Sequence, residues 1–191
     1  AVVRPVVSSI DDGFALPPIE KFEELITPRT KGILICNPNN PTGYLYTRKE
    51  MNLIRDLVKK YDLYLFSDEV YREFCYTGAP YISAFHLDGI EDNIILIDSV
   101  SKRYSECGIR IGGLVTKNKE VRKTVMKFCQ ARLSPPLIGQ IVALELPLEQ
   151  NFLVIGGFGV LGAIALAFIK YGGPTSATPQ EAVPELRPLQ P

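Results

Sequence analysis

Three short segments constrain this chain more than anything else in it. They are Asn37-Pro38-Asn39-Asn40-Pro41-Thr42-Gly43, then Ser67-Asp68-Glu69-Val70-Tyr71, then Ser99-Val100-Ser101-Lys102 with Arg110 eight residues further on. Each one closes a short apolar run: Gly-Ile-Leu-Ile-Cys from Lys31 to Cys36, Leu63 to Phe66, and Asn93 to Ile97. Short apolar runs stopped by Pro, Asn, Asp or Ser read as buried strands that end in loops. Between the first two lies Thr47-Arg48-Lys49-Glu50, a capping box, followed by Met51, Ile54, Leu57, Val58 and Tyr61 at helical spacing. Strand, capped helix and strand make a right-handed crossover, so the sheet is expected to be mostly parallel. The three polar segments then fall at one edge of that sheet, where open α/β sheets bind ligands.

Other elements follow the same logic. Pro17 to Ile26 carries Ile19, Phe22, Leu25 and Ile26 at helical spacing, with Pro17 and Pro18 suited to a first turn. Ile111 to Val115 is a further strand candidate, Val121, Val125, Phe128 and Cys129 mark a helix, and Ser134-Pro135-Pro136 opens another toward Leu146. The fold class expected is α/β: a mostly parallel sheet flanked by helices, with an extra C-terminal apolar helix.

Composition narrows the function. The chain has 191 residues, 46% hydrophobic and 22% charged, enough for one domain with a core. With 21 basic and 21 acidic residues there is no basic stripe, so nucleic acid is not an expected partner. Cys36, Cys75, Cys107 and Cys129 are widely spaced, with no Cys-x-x-Cys, and read as reduced core or near-core thiols of a cytosolic protein. His86 reads as a surface histidine. The N-terminus lacks a signal-peptide pattern and an initiator Met, as in a trimmed or partial chain.

Composition changes after Leu146. Residues 152–169 contain no charge, and Gly159, Ala163 and Ala167 form a small-residue face. Eighteen residues meet the lower length of a membrane span, about 17 at a rise of ~1.5 Å each. A membrane helix and a buried helix or Gly-rich strand pair are both open readings. The organisation expected is 1–146 as the α/β domain, 147–170 as an apolar segment and 171–191 as a Pro-rich disordered tail.

The polar segments supply an amine, a carboxylate, an amide, a phenol, hydroxyls and a guanidinium. Lys102 forms an imine with an aldehyde only as the neutral amine, a state favoured by burial or by a neighbouring cation such as Arg110. Ser99, Ser101 and Arg110 can clamp a phosphate. Asp68 can serve as a helix N-cap or as the partner of a buried cation. Together these segments resemble the class I/II aminotransferases that use pyridoxal 5′-phosphate, the aspartate aminotransferase-like superfamily. The resemblance covers roughly Val6 to Leu146, the central part of that family's large domain, and implies that 1–146 is a partial large, cofactor-binding domain.

It implies pyridoxal 5′-phosphate as cofactor, contacted by Asn40, Asp68, Tyr71, Ser99, Lys102 and Arg110, with Ser101 added. Lys102 would carry it as a Schiff base and act as the catalytic acid/base. Asp68 would pair with the ring nitrogen, while Asn40 and Tyr71 would donate to the ring oxygen. The reaction implied is reversible amino transfer between an amino acid and a 2-oxo acid, with a second copy of the chain as a partner; the location expected from the cysteines is cytoplasmic. Members of the family also carry an upstream Gly/Ser phosphate loop, a ring-stacking aromatic residue and a downstream carboxylate-binding arginine. None of these is assignable here, so weak cofactor affinity and little turnover are expected of the chain alone. Two alternatives remain open: a non-catalytic or membrane-anchored remnant of the fold, and a related enzyme such as a C–S lyase.

Overall fold

The capping box is the local structure that organises the rest. In the computed structural model, which describes residues 1–133, 136–137 and 139–141, Thr47 caps helix α2 (Arg48–Tyr61). Its Oγ1 accepts the Glu50 N–H at 3.2 Å, and Glu50 Oε2 accepts the Thr47 N–H at 2.7 Å. Two amides that the first helical turn leaves without partners are thus satisfied by side chains. The far end closes on Asp62 in the left-handed region, φ 48°. Between these caps Met51, Ile54, Leu57 and Val58 are buried at helical spacing.

Helix α2 joins β1 (Gly32–Cys36) to β2 (Tyr64–Asp68), which pair in parallel, and β2 pairs in parallel with β3 (Ile94–Ser99). A short helix α3 (Val100–Arg103) follows β3 directly. Strand β4 (Gly112–Val115) then returns antiparallel to β3, and helix α4 (Lys119–Arg132) comes after it. The sheet order is β1-β2-β3-β4. Helix α1 is only Ile19–Glu23, shorter than the helix expected to Ile26. Two backbone bonds, Leu25 N–H to Phe22 O and Ile26 N–H to Glu23 O, carry the chain on as turns. Among the described strands, the antiparallel return of β4 is the one exception to parallel pairing. The link from α3 to β4 is short, so it cannot contain the long crossover a parallel return needs.

Register fixes which side chains share a face. Ile33 and Ile35 of β1 lie level with Leu65 and Ser67 of β2, and these with Ile94 and Leu96 of β3. Ile35, Leu65, Ile94 and Leu96 form the core with Met51, Ile54 and Val58 of α2 and with Ile82, Ala84, Leu87 and Ile90 from the β2–β3 connection. On the opposite face, Leu34 is 71% exposed and Leu114 40%. Gly32 lies where a Cβ would come within 2.8 Å of the Tyr64 carbonyl and of the Phe66 ring, so the β1–β2 approach requires glycine there.

The reading of the cysteines needs adjusting. Cys36 and Cys75 are half-buried, but Cys107 and Cys129 are exposed, and all four are free thiols. Tyr71 lies on a hydrogen-bonded turn. The helix from Ser134 toward Leu146 is described only in part. The apolar run 152–169, with the extra helix or membrane anchor proposed for it, and the tail 171–191 lie outside the described residues. Among the described residues no helix is long and apolar enough to cross a membrane.

Candidate active site

The loop after β1 is built to present one amide. Asn37 is fully buried. Its Nδ2 donates to the Ile82 carbonyl at 3.0 Å, and its Oδ1 accepts the Tyr46 N–H at 3.1 Å. Asn39 closes the turn, with Oδ1 accepting Thr42 Oγ1 at 2.8 Å and its carbonyl accepting the Gly43 N–H at 2.8 Å. Gly43 takes φ 72°, a conformation that suits glycine. Asn40, between these anchors, stays exposed, and its Nδ2 donates to Tyr71 Oη at 3.1 Å. Asn40 and Tyr71 are 31 residues apart, and strands β1 and β2 bring them together.

Asp68 ends β2. Its Oδ1 accepts the Val70 N–H at 3.1 Å, which starts the turn that carries Tyr71. Capping and cation binding are therefore compatible here: one oxygen holds a turn, and among the described residues the other has no hydrogen bond. The neighbouring Glu69 points the other way, into the core, because alternation puts it on the face of Leu65 and Ser67. It is 1% exposed and accepts from Ser67 Oγ at 3.0 Å, Ser83 Oγ at 3.1 Å, the Ala84 N–H at 2.8 Å and the Tyr81 hydroxyl. Burial, and next the bond to Glu69, push the Tyr81 phenol far above its ordinary pKa. Sequence reasoning gave Glu69 no role. The available signal was a carboxylate two residues beyond a buried serine in strand alternation, a position that obliges it to find donors.

The third segment caps its own helix. Ser99 Oγ accepts the Ser101 N–H at 3.1 Å, sits 2.9 Å from Ser101 Oγ and reaches the Ile111 carbonyl at 3.0 Å. Lys102, on α3, is exposed, with Nζ 6.0 Å from the centre of the Tyr71 ring. The burial expected to favour its neutral amine is not provided by the described residues. Arg110 adopts φ 61° and donates from Nη1 to the Cys107 carbonyl at 2.9 Å, so its guanidinium is turned to its own loop and not to Ser99 or Ser101. A cation pair absent from the sequence reading backs the site: Arg72 meets Asp98 at 2.7 Å, and Arg103 meets Glu73 at 3.0 Å. Asn40, Tyr71 and Lys102 thus form one group, Ser99 and Ser101 a second. Asp68 stands at the end of β2 between the strands that carry them, and Arg110 is held apart.

The family model for aminotransferase class I and II matches residues 11–152, well over half the chain. The chain belongs to the class I and II aminotransferase family. Members of this family use pyridoxal 5′-phosphate. The match stops where the apolar run begins. Among relatives, the aromatic-amino-acid aminotransferase 2 of Thermococcus litoralis is 36% identical over 107 residues, covering 56% of this chain and 28% of that protein. The aspartate aminotransferase of Bacillus subtilis is 35% identical over 103 residues, covering 53% and 26%. A solved double mutant of Thermus thermophilus aspartate aminotransferase superposes with a TM-score of 0.62 at 28% identity, covering 70% of this chain and 34% of that one. The chain spans between a quarter and about a third of the length of these proteins.

Proposed function

We propose that this chain is the cofactor-holding portion of a pyridoxal-phosphate-dependent aminotransferase, acting on an amino acid and a 2-oxo acid. The observation that carries the reading is the meeting of Asn40, Tyr71 and Lys102, from three separate segments, beyond the C-terminal ends of β1, β2 and β3. The donor set fits the cofactor: a primary amine, a carboxylate with one oxygen committed to a turn, an amide and phenol in contact, and paired serine hydroxyls.

When bound, the cofactor supplies an electron sink for a substrate carbanion. The chain's own groups have distinct tasks. Lys102 holds the cofactor, then takes and returns the proton at the substrate Cα. Asp68 offers its second oxygen to a protonated ring nitrogen, with its first fixed by Val70. Asn40 and Tyr71 donate to an anionic ring oxygen, already oriented by their mutual bond. Ser99 and Ser101 donate to phosphate, and Arg110 joins them once its fork leaves the Cys107 carbonyl. A homodimer, as the resemblance implies, would complete such a site.

Because the chain spans about a third of its relatives' length, cofactor capture is the property to test. Purified chain is mixed with pyridoxal phosphate, its visible absorbance recorded, and the mixture reduced with borohydride and mapped by peptide mass. A band and a reduced adduct on Lys102, both lost in Lys102→Ala, are expected. Adducts scattered over surface lysines, or one surviving in Lys102→Ala, would overturn the assignment.

A further inference from the structure

A cavity of about 350 Å³ lies between the loop Pro38–Gly43 and the segment Tyr71–Thr77. Its size falls within the range of small-ligand sites, about 300–1,000 Å³. Pro38, Pro41, Leu45, Tyr71, Phe74 and Tyr76 give it apolar and aromatic surface. The Tyr71 and Phe74 rings meet edge to face, with centroids 6.1 Å apart. Two polar groups at the rim are already engaged: Asn39 Oδ1 with Thr42, and Asn40 Nδ2 with the Tyr71 hydroxyl. Among the described residues, none that lines the cavity carries a full charge at neutral pH. The nearby arginines Arg72 and Arg103 are held by Asp98 and Glu73.

Position matters as much as composition. Tyr71 is both a wall of this cavity and the ring beside which the Lys102 amine sits, at 6.0 Å. A substrate with its Cα presented to Lys102 therefore has an apolar, aromatic-walled space one side chain away. An acidic side chain entering it would lose water and, among the described lining residues, meet no cation. A benzyl or phenol ring would find edge-to-face partners and proline surfaces.

The geometry points to this cavity as the pocket for the side chain of the amino-acid substrate, and to an aromatic or large apolar side chain as its occupant. This rests on the aminotransferase reading given above. Phe74 and Tyr76 set the preference, and neither takes part in holding the cofactor.

Stable reduced conjugates of cofactor and amino acid test it without turnover. N-(5′-phosphopyridoxyl) derivatives of L-phenylalanine, L-alanine and L-aspartate are titrated calorimetrically into the wild-type chain, Phe74→Ala and Tyr76→Ala. The phenylalanine conjugate is expected to bind about tenfold or more tightly than the other two, the scale set by removing a ring from water. In Phe74→Ala that preference falls to about threefold or less, while the alanine conjugate binds as before. Tyr76 is 86% exposed, so Tyr76→Ala leaves the fold intact and still weakens the preference should Phe74→Ala fail to fold. Equal affinity for the three conjugates, tightest binding of the aspartate conjugate, or a preference untouched by both substitutions overturns the pocket assignment and leaves cofactor binding standing. Binding of none of the three overturns both readings.

Discussion

Replacing Glu69 by alanine removes the acceptor on which the β2–β3 connection is hung. The side chain is 1% exposed and takes hydrogen bonds from the Ala84 amide and from the hydroxyls of Ser67, Tyr81 and Ser83. Three of these donors lie 12 to 15 residues downstream, so the carboxylate ties a long connection to the strand that carries Asp68. The hydroxyls can rotate toward other acceptors, but the buried Ala84 N–H cannot, and an orphaned buried donor costs about 1–3 kcal/mol. Losing one buried methylene adds about 0.8 kcal/mol. Relief of the carboxylate's own desolvation works the other way. The net expectation is a loss of about 2–4 kcal/mol for Glu69→Ala. Glu69→Gln keeps the shape and a carbonyl for Ala84, and is expected to cost about 1–2 kcal/mol. Urea unfolding followed by far-ultraviolet circular dichroism measures both. A double-mutant cycle with Tyr81→Phe is expected to show coupling of about 1 kcal/mol or more. A loss below about 1 kcal/mol for Glu69→Ala, or equal losses for alanine and glutamine, would refute the reasoning.

Thr47→Ala removes the cap of α2 and is expected to cost about 1 kcal/mol in the same assay. Burial works to raise the Glu50 pKa, but hydrogen bonds from the Thr47 hydroxyl and amide, the Leu16 amide and the Tyr44 hydroxyl outweigh it, leaving the carboxyl below its ordinary value. Its contribution is therefore present above the unfolded value of about 4.3 and lost as pH falls through the lower folded value. Below about pH 4, wild type is expected to lose stability more steeply than Glu50→Gln in urea titrations at several pH values. The Tyr44 phenol is pushed up to about 12 by burial and then by its bond to Glu50. Its contribution holds below the unfolded value of about 10 and fades as pH rises toward the folded one, so Tyr44→Phe should remove one late step from an ultraviolet tyrosine titration. Gly32→Ala forces a Cβ against the Tyr64 carbonyl and is expected to destabilise by about 1–3 kcal/mol, with little change at an open glycine such as Gly108.

Much of the candidate site could be read in the chain because its signals are short. The Pro/Asn/Gly loop, the Ser-Asp-Glu-Val-Tyr segment and Ser-x-Ser-Lys each end an apolar run, and each does end a strand in the fold. That placement alone puts Asn40, Tyr71 and Lys102 beyond the strand ends of one sheet. Arg110 does not: its spacing from Lys102 is suggestive, but a left-handed backbone turns its guanidinium onto Cys107. Nor does the exposure of Lys102, Cys107 and Cys129, because exposure depends on which elements pack nearby and not on neighbours along the chain.

What the sequence determined by itself is local. Side-chain capping at Thr47 and Glu50, the apolar spacing of α2 and the breaks after β1 and β2 rest on bonds spanning four residues or fewer, and these are written in residue type and order. Tertiary structure decided the rest. It chose the antiparallel return of β4, the core-facing side of β2 that turns Glu69 inward beside outward Asp68, and the contact between Asn40 and Tyr71 across 31 residues. Those features depend on register between strands. Register is settled only when whole apolar faces are buried together, because shifting one strand by a single residue exchanges its two faces.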